Sequence, residues 1–130
     1  MDSTSAAEPG LAGLRVLIVE DEPLISMLIE DALEELQCVS LGPYDTLATA
    51  VAAAKSDQFE AALIDFHLKG EKATPLIEVL RDRAIPFAIV SGASPELEGK
   101  GEFAVIPKPF KTVDIGTGLK AIIQHSTKAG

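Results

Sequence analysis

Hydrophobic and polar positions along the chain alternate between two rhythms. Val16, Leu17, Ile18 and Val19 form an unbroken apolar run, which reads as a strand over residues 15–20 buried on both faces. Pro23 then stands where the first residue of a helix belongs. Ile25, Leu28, Ile29, Ala32, Leu33 and Leu36 follow at helical spacing as one apolar stripe. "CVSLGPYDT" predicts a short strand ended by Gly42-Pro43, and the alanine-rich "TLATAVAAAK" a helix. "FEAALIDF" is a third strand running into a loop, "HLKGEK". Thr74-Pro75 opens a helix through Arg83 whose apolar positions are Leu76, Ile77, Val79 and Leu80. "IPFAIVSG" and "EFAVIPK" are the fourth and fifth strands. A last helix, 112–124, is weakened by Gly116 and Gly118. Between strands four and five, "SGASPELEGKG" holds three glycines and a proline, so a fourth helix there is short, irregular or absent.

Strands alternating with helices imply an α/β fold, a doubly wound parallel sheet with helices on both faces. All carboxyl ends of such strands lie on one edge, where open α/β proteins bind ligands. Strand one ends in Glu20-Asp21, strand three in Asp65, strand four in Ser91 and strand five in Lys108, whereas strand two offers nothing equivalent. Taken singly these residues have ordinary uses. Asp21 and Glu22 suit a helix N-terminus, worth about 0.3–1 kcal/mol. Asp65 and Ser91 suit turns, and Lys108 a solvated surface. Their convergence on one edge argues for more. Two carboxylates about 4 Å apart repel by roughly 4 kcal/mol at an effective dielectric of 20. Mg²⁺, a hard ion that prefers oxygen ligands, would offset that repulsion. It would also allow one carboxylate to attack phosphorus while Lys108 and the Ser91 hydroxyl hold the transferring oxygens.

Composition narrows the options. The 130 residues carry a net charge of −9 and no basic cluster, which argues against a nucleic-acid partner. The single cysteine, Cys38, lies in an apolar stretch and reads as a buried structural thiol in a reducing compartment. "MDSTSAAEPG" lacks the cationic and apolar regions of a signal peptide, and no apolar run reaches membrane-spanning length. The expectation is a cytoplasmic protein without membrane contact: a disordered tail over 1–13, one domain over 14–125 and a short tail over 126–130. His125 reads as solvated surface. "GTG" at 116–118 falls within a helix, not after a strand, and is not a phosphate loop.

"VLIVEDEP", "LIDFHLKG", "IVSG" and "KPF" occur in the order found in one family. The chain resembles the receiver domain of bacterial two-component response regulators, over roughly residues 14 to 125. The resemblance implies a flavodoxin-like (βα)5 fold with strand order 2-1-3-4-5. It implies that Asp65 accepts a phosphoryl group from a phosphohistidine of a sensor histidine kinase or histidine phosphotransfer protein. Glu20 and Asp21 match the acidic pair that organises Mg²⁺, and Asp65 and the His67 backbone carbonyl complete the metal ligands. Ser91 matches the hydroxyl that bonds the phosphoryl group, Lys108 the lysine of the site, and Lys108-Pro109 the family's cis bond. Such a protein turns over no external substrate, so it is not a metabolic enzyme.

Two departures bear on output. Val105 stands where receivers usually carry an aromatic ring, and the segment from Ser91 to Val105 is shorter than usual. With a receiver over 14–125, no DNA-binding or enzymatic output domain is expected. The expectation is therefore a single-domain regulator that signals to an unknown downstream protein, or serves as a relay or phosphate sink. Without a ring at 105, phosphorylation is expected to act by ordering residues 92–102. The alternative is a pseudo-receiver that binds proteins without phosphorylation. An Asp-nucleophile phosphohydrolase is disfavoured, because His67 occupies the position of its second acid.

Overall fold

The structure is a computed structural model that describes residues 10–91 and 103–129, without the side chains of 91, 103 and 125–129. In chain order the elements are β1 (Arg15–Val19), α1 (Pro23–Glu35), β2 (Val39–Tyr44), α2 (Leu47–Ser56) and β3 (Ala61–Ile64). Then come β4 (His67–Leu68), β5 (Glu71–Lys72), α3 (Thr74–Asp82), β6 (Phe87–Ser91), β7 (Phe103–Pro107) and α4 (Thr112–Ala129). Five parallel strands form one sheet in the order β2-β1-β3-β6-β7. With β6 and β7 as the fourth and fifth long strands, this is the flavodoxin-like 2-1-3-4-5 order. The expected fourth helix, and the ordering of 92–102, fall outside the described residues.

The period of two along each strand splits the core into two layers. Leu17 and Val19 of β1, Ala62 and Ile64 of β3 and Ile89 of β6 pack with α2 and α3. Val16 and Ile18, Ala61 and Leu63, and Ala88 and Val90 pack on the other face with α1 and α4. Because both faces of the central strands are covered, their sequences read as continuous apolar runs. Pro23 begins α1 and Thr46 caps α2, its side chain accepting from the Thr49 amide at 3.2 Å.

Four details differ from the sequence reading. Leu11 is 1% exposed and sits in the second core layer. The Gly13 amide donates to the Gln37 carbonyl at 2.8 Å, so packing begins before residue 14. Strand β2 runs through Gly42-Pro43 instead of ending there, with a shift of register opposite Leu17 and Val19. A proline is tolerated in this edge strand at an irregularity. Gly42 has φ +101°, and a Cβ there would lie 2.8 Å from the Ile18 carbonyl oxygen. Leu28 leaves the predicted stripe, being 53% exposed, while Ser26 is buried in its place. Finally, α4 continues through both glycines. A Cβ on Gly118 would stand 2.7 Å from Ile106 Cδ1, so the glycine lets the helix lie close on β7. Among the described residues no helix is long and apolar enough to cross a membrane.

Candidate functional site

The carboxyl ends of β1, β3, β6 and β7 gather the predicted residues. The ladder continues just past β1 and β3: the Glu20 amide donates to the Tyr44 carbonyl at 3.0 Å, and the Asp65 amide to the Val19 carbonyl at 2.8 Å. These bonds fix the backbone from which Glu20 and Asp65 project. Glu20, Asp21 and Asp65 each offer a carboxylate oxygen, and the three lie within 4.8 Å of one another. Lys108, just after β7, brings its Nζ to 3.7 Å from Glu20 Oε1. Ser91 ends β6, its backbone in register with Pro107. Its side chain is outside the description. The Lys108-Pro109 bond is cis.

The acids differ in their surroundings. Glu20 is 2% exposed. Its Oε2 accepts from the Glu22 amide at 3.1 Å, while Oε1 is buried without a hydrogen-bond partner among the described residues. Burial first, and then the neighbouring Asp65 charge, push Glu20 up to about 7, against the pull of the Glu22 amide and Lys108. Burial also raises Asp65, and the Asp21 charge adds to it, opposed by the His67 amide and Lys108. Removing a carboxylate from water disfavours its charged form, and a like charge nearby compounds the effect.

A buried carboxylate oxygen with no partner, facing two further acids, is an incomplete arrangement. The donor set is all oxygen and carries more negative charge than one lysine offsets. It fits a hard divalent cation such as Mg²⁺.

The segment after β3 holds what the sequence reading missed. "HLKGEK" is a small hairpin rather than a loop, with His67 opposite Lys72 and Leu68 opposite Glu71. Lys69 and Gly70 have φ of +50° and +87°, as a two-residue type I′ turn requires. The His67 amide donates to Asp65 Oδ1 at 3.2 Å and the Lys69 amide to Asp21 Oδ2 at 2.8 Å. Lys69 Nζ also reaches Asp45 Oδ2, just past β2, at 3.5 Å in an exposed ion pair. The signal was present as a Lys-Gly pair between two short segments. The His67 ring is exposed and stands edge-on to Phe66, with 5.0 Å between centroids. Val105 is half-buried and packs against the first core layer. Cys38 is half-buried, its thiol donating to the Leu11 carbonyl at 3.4 Å, and burial raises its pKa.

No protein-family model and no curated protein matches the chain. Solved structures do. SdrG from Sphingomonas melonis Fr1 is 38% identical with a TM-score of 0.75, over 89% of this chain and 99% of that one. A structure of the BeF3-activated conformation of SdrG, from Pseudomonas melonis Fr1, also matches, at 38% identity and a TM-score of 0.72, over 86% of this chain and 98% of that one. The response regulator PhyR from Brucella abortus is 27% identical with a TM-score of 0.78, over 92% of this chain. The match spans only 51% of PhyR. The receiver domain of sensor histidine kinase PA1611 from Pseudomonas aeruginosa PAO1 shares the fold at 23% identity and a TM-score of 0.71, covering 87% of this chain and 99% of that domain. Its structure holds a magnesium ion coordinated in the active-site cleft. With five parallel strands in the 2-1-3-4-5 order and a 38% identical relative matched over nearly its whole length, the chain belongs to the response regulator receiver domains.

Proposed function

We propose that the protein is a cytoplasmic phosphoacceptor of a two-component pathway, with Asp65 as the phosphorylated residue. The observation that carries this reading is the set of three carboxylates within 4.8 Å, one with a buried oxygen lacking a hydrogen-bond partner. Glu20, Asp21, Asp65 and the His67 carbonyl would hold Mg²⁺. When bound, that ion neutralises the acids and the charge on transferring phosphoryl oxygens.

The protein's own groups divide the remaining work. Asp65 Oδ1 is engaged by the His67 amide, which leaves Oδ2 to attack the phosphorus of a phosphohistidine. A P–O bond to Asp65 forms as the P–N bond breaks, and the imidazole leaves with the bonding electrons. Lys108, only 19% exposed, supplies positive charge to the phosphoryl oxygens, and the Ser91 hydroxyl supplies a donor. The donor protein would be a sensor histidine kinase or a histidine phosphotransfer protein. The phosphorylated form would act on a downstream protein or pass the group on. The BeF3-activated conformation of SdrG supports the reading, since beryllofluoride is a phosphoryl analogue.

Intact-mass measurement after incubation with Mg²⁺ and acetyl phosphate tests it. One added phosphoryl group that needs Mg²⁺ and is labile to base is the expected result. A chain that binds no Mg²⁺ and gains no mass would instead be a protein-binding pseudo-receiver.

A further inference from the structure

The β4–β5 hairpin touches the acidic edge at two points that belong to different strands. Its His67 amide holds the Asp65 carboxylate that follows β3, and its Lys69 amide holds the Asp21 carboxylate that follows β1. The hairpin is itself secured on three sides. Leu68 is 1% exposed and buried in the first core layer. Lys69 Nζ pairs with Asp45 at 3.5 Å, and the Ala73 amide closes the base on the Phe66 carbonyl at 2.7 Å. The direction of the Lys69 amide depends on the turn, and the turn depends on Gly70 at φ +87°. A Cβ added at Gly70 would meet nothing within 4 Å. A side chain there therefore acts through backbone conformation alone, without a clash.

We infer that Gly70 is a positioning residue for the acidic edge: the turn it permits aims the Lys69 amide at Asp21 and sets that carboxylate against Asp65 for a divalent cation. The inference rests on the Mg²⁺ reading above. With Asp21 Oδ2 held by the amide, Oδ1 would be the oxygen left for the cation. Groups that orient metal ligands in this way are worth about 10- to 100-fold in affinity. A single amide on a half-buried carboxylate belongs at the lower end.

Calorimetric titration with Mg²⁺ of the wild type, Gly70→Ala, Gly70→Asn and Lys69→Asn tests the inference. Gly70→Ala should bind about tenfold more weakly. Gly70→Asn should stay within about threefold of wild type, because asparagine enters the left-handed region more readily than alanine. Lys69→Asn keeps the amide and the turn and loses only an exposed ion pair with Asp45, so it should lose less than Gly70→Ala and stay within about threefold of wild type. Hydrogen exchange should find the Lys69 amide protected in wild type and Gly70→Asn and unprotected in Gly70→Ala. Equal Mg²⁺ affinity in Gly70→Ala and wild type would overturn the inference alone. So would equal losses in the alanine and asparagine variants, or a tenfold loss in Lys69→Asn, which would point to the Asp45 pair. A wild type that binds no Mg²⁺ would overturn both this inference and the function it rests on.

Discussion

Strands β1 and β3 carry charged residues at both ends, and the two ends are built in opposite ways. At the amino end, Arg15 and Glu60 form a complete pair. The Arg15 amide donates to Glu60 Oε1 at 2.7 Å, and its guanidinium bonds both carboxylate oxygens. The side chains are 45% and 40% exposed, and the pairing holds Glu60 below the usual carboxylate range. At the carboxyl end, the Glu20 side chain is fully buried and Lys108 stops 3.7 Å short of it. One Glu20 oxygen has no hydrogen-bond partner among the described residues, and Asp65 lies beside it. The same two strands thus end once in a satisfied, solvated ion pair and once in a buried, incomplete one. An exposed pair contributes little to stability. An incomplete buried cluster costs stability unless a further partner completes it.

The sharpest way to break this comparison is at Asp65. Asp65→Asn should gain no phosphoryl group from acetyl phosphate under conditions that label wild type fully, as read by intact mass. Labelling of the variant at wild-type efficiency would remove Asp65 from its assigned role.

Next in size is the pH dependence of the metal-free protein. Glu20 is raised to about 7 in the folded state, so between its unfolded value and pH 7 the native state holds the extra proton. Stability must then fall as pH rises across that window and level off above it. Glu20→Gln should flatten the profile and stabilise the metal-free protein at pH 8 by about 3 kcal/mol, the shift converted at about 1.4 kcal/mol per unit. Denaturant melts at pH 5 to 8 in the presence of a chelator would measure both. A wild-type profile that rises with pH across this window would contradict the assignment.

Mg²⁺ should reverse part of that loss, because a ligand that binds only the native state stabilises it by mass action. At a hundredfold excess over the dissociation constant the gain is about 2.7 kcal/mol. Asp21→Asn should reduce it, leaving the metal-free fold no less stable. A melting temperature indifferent to millimolar Mg²⁺ would count against the site. The smallest effect belongs to the opposite end of the sheet. Glu60→Gln should move the melting midpoint only slightly, more at low salt than at high, and leave the Mg²⁺ response unchanged. A large shift there would mean that the two ends are not as different as their geometry says.

Much of this was legible in the sequence because it depends on local pattern. Continuous apolar runs mark strands covered on both faces, and the helical stripe of Ile29, Ala32 and Leu33 marks the face of α1 that is buried. Strands in a parallel sheet must deliver their carboxyl ends to one edge, so Glu20, Asp21, Asp65 and Lys108 could be placed together without coordinates. Leu28 misled because helical spacing defines a stripe but not its width. The glycines of α4 misled because intrinsic propensity was overridden by close packing on Ile106 and Leu36.

Along the chain alone, then, the alternation of apolar runs determined the class of fold, the order of its elements and the edge on which the acids meet. Tertiary structure decided which of those acids is buried, which oxygen lacks a partner, and that a two-residue hairpin holds Asp65 and Asp21 by its amides. The reason is physical. Period and propensity act between neighbours a few residues apart, whereas desolvation and hydrogen-bond completion depend on contacts such as Lys69 with Asp21 and Lys108 with Glu20, which only the folded chain brings together.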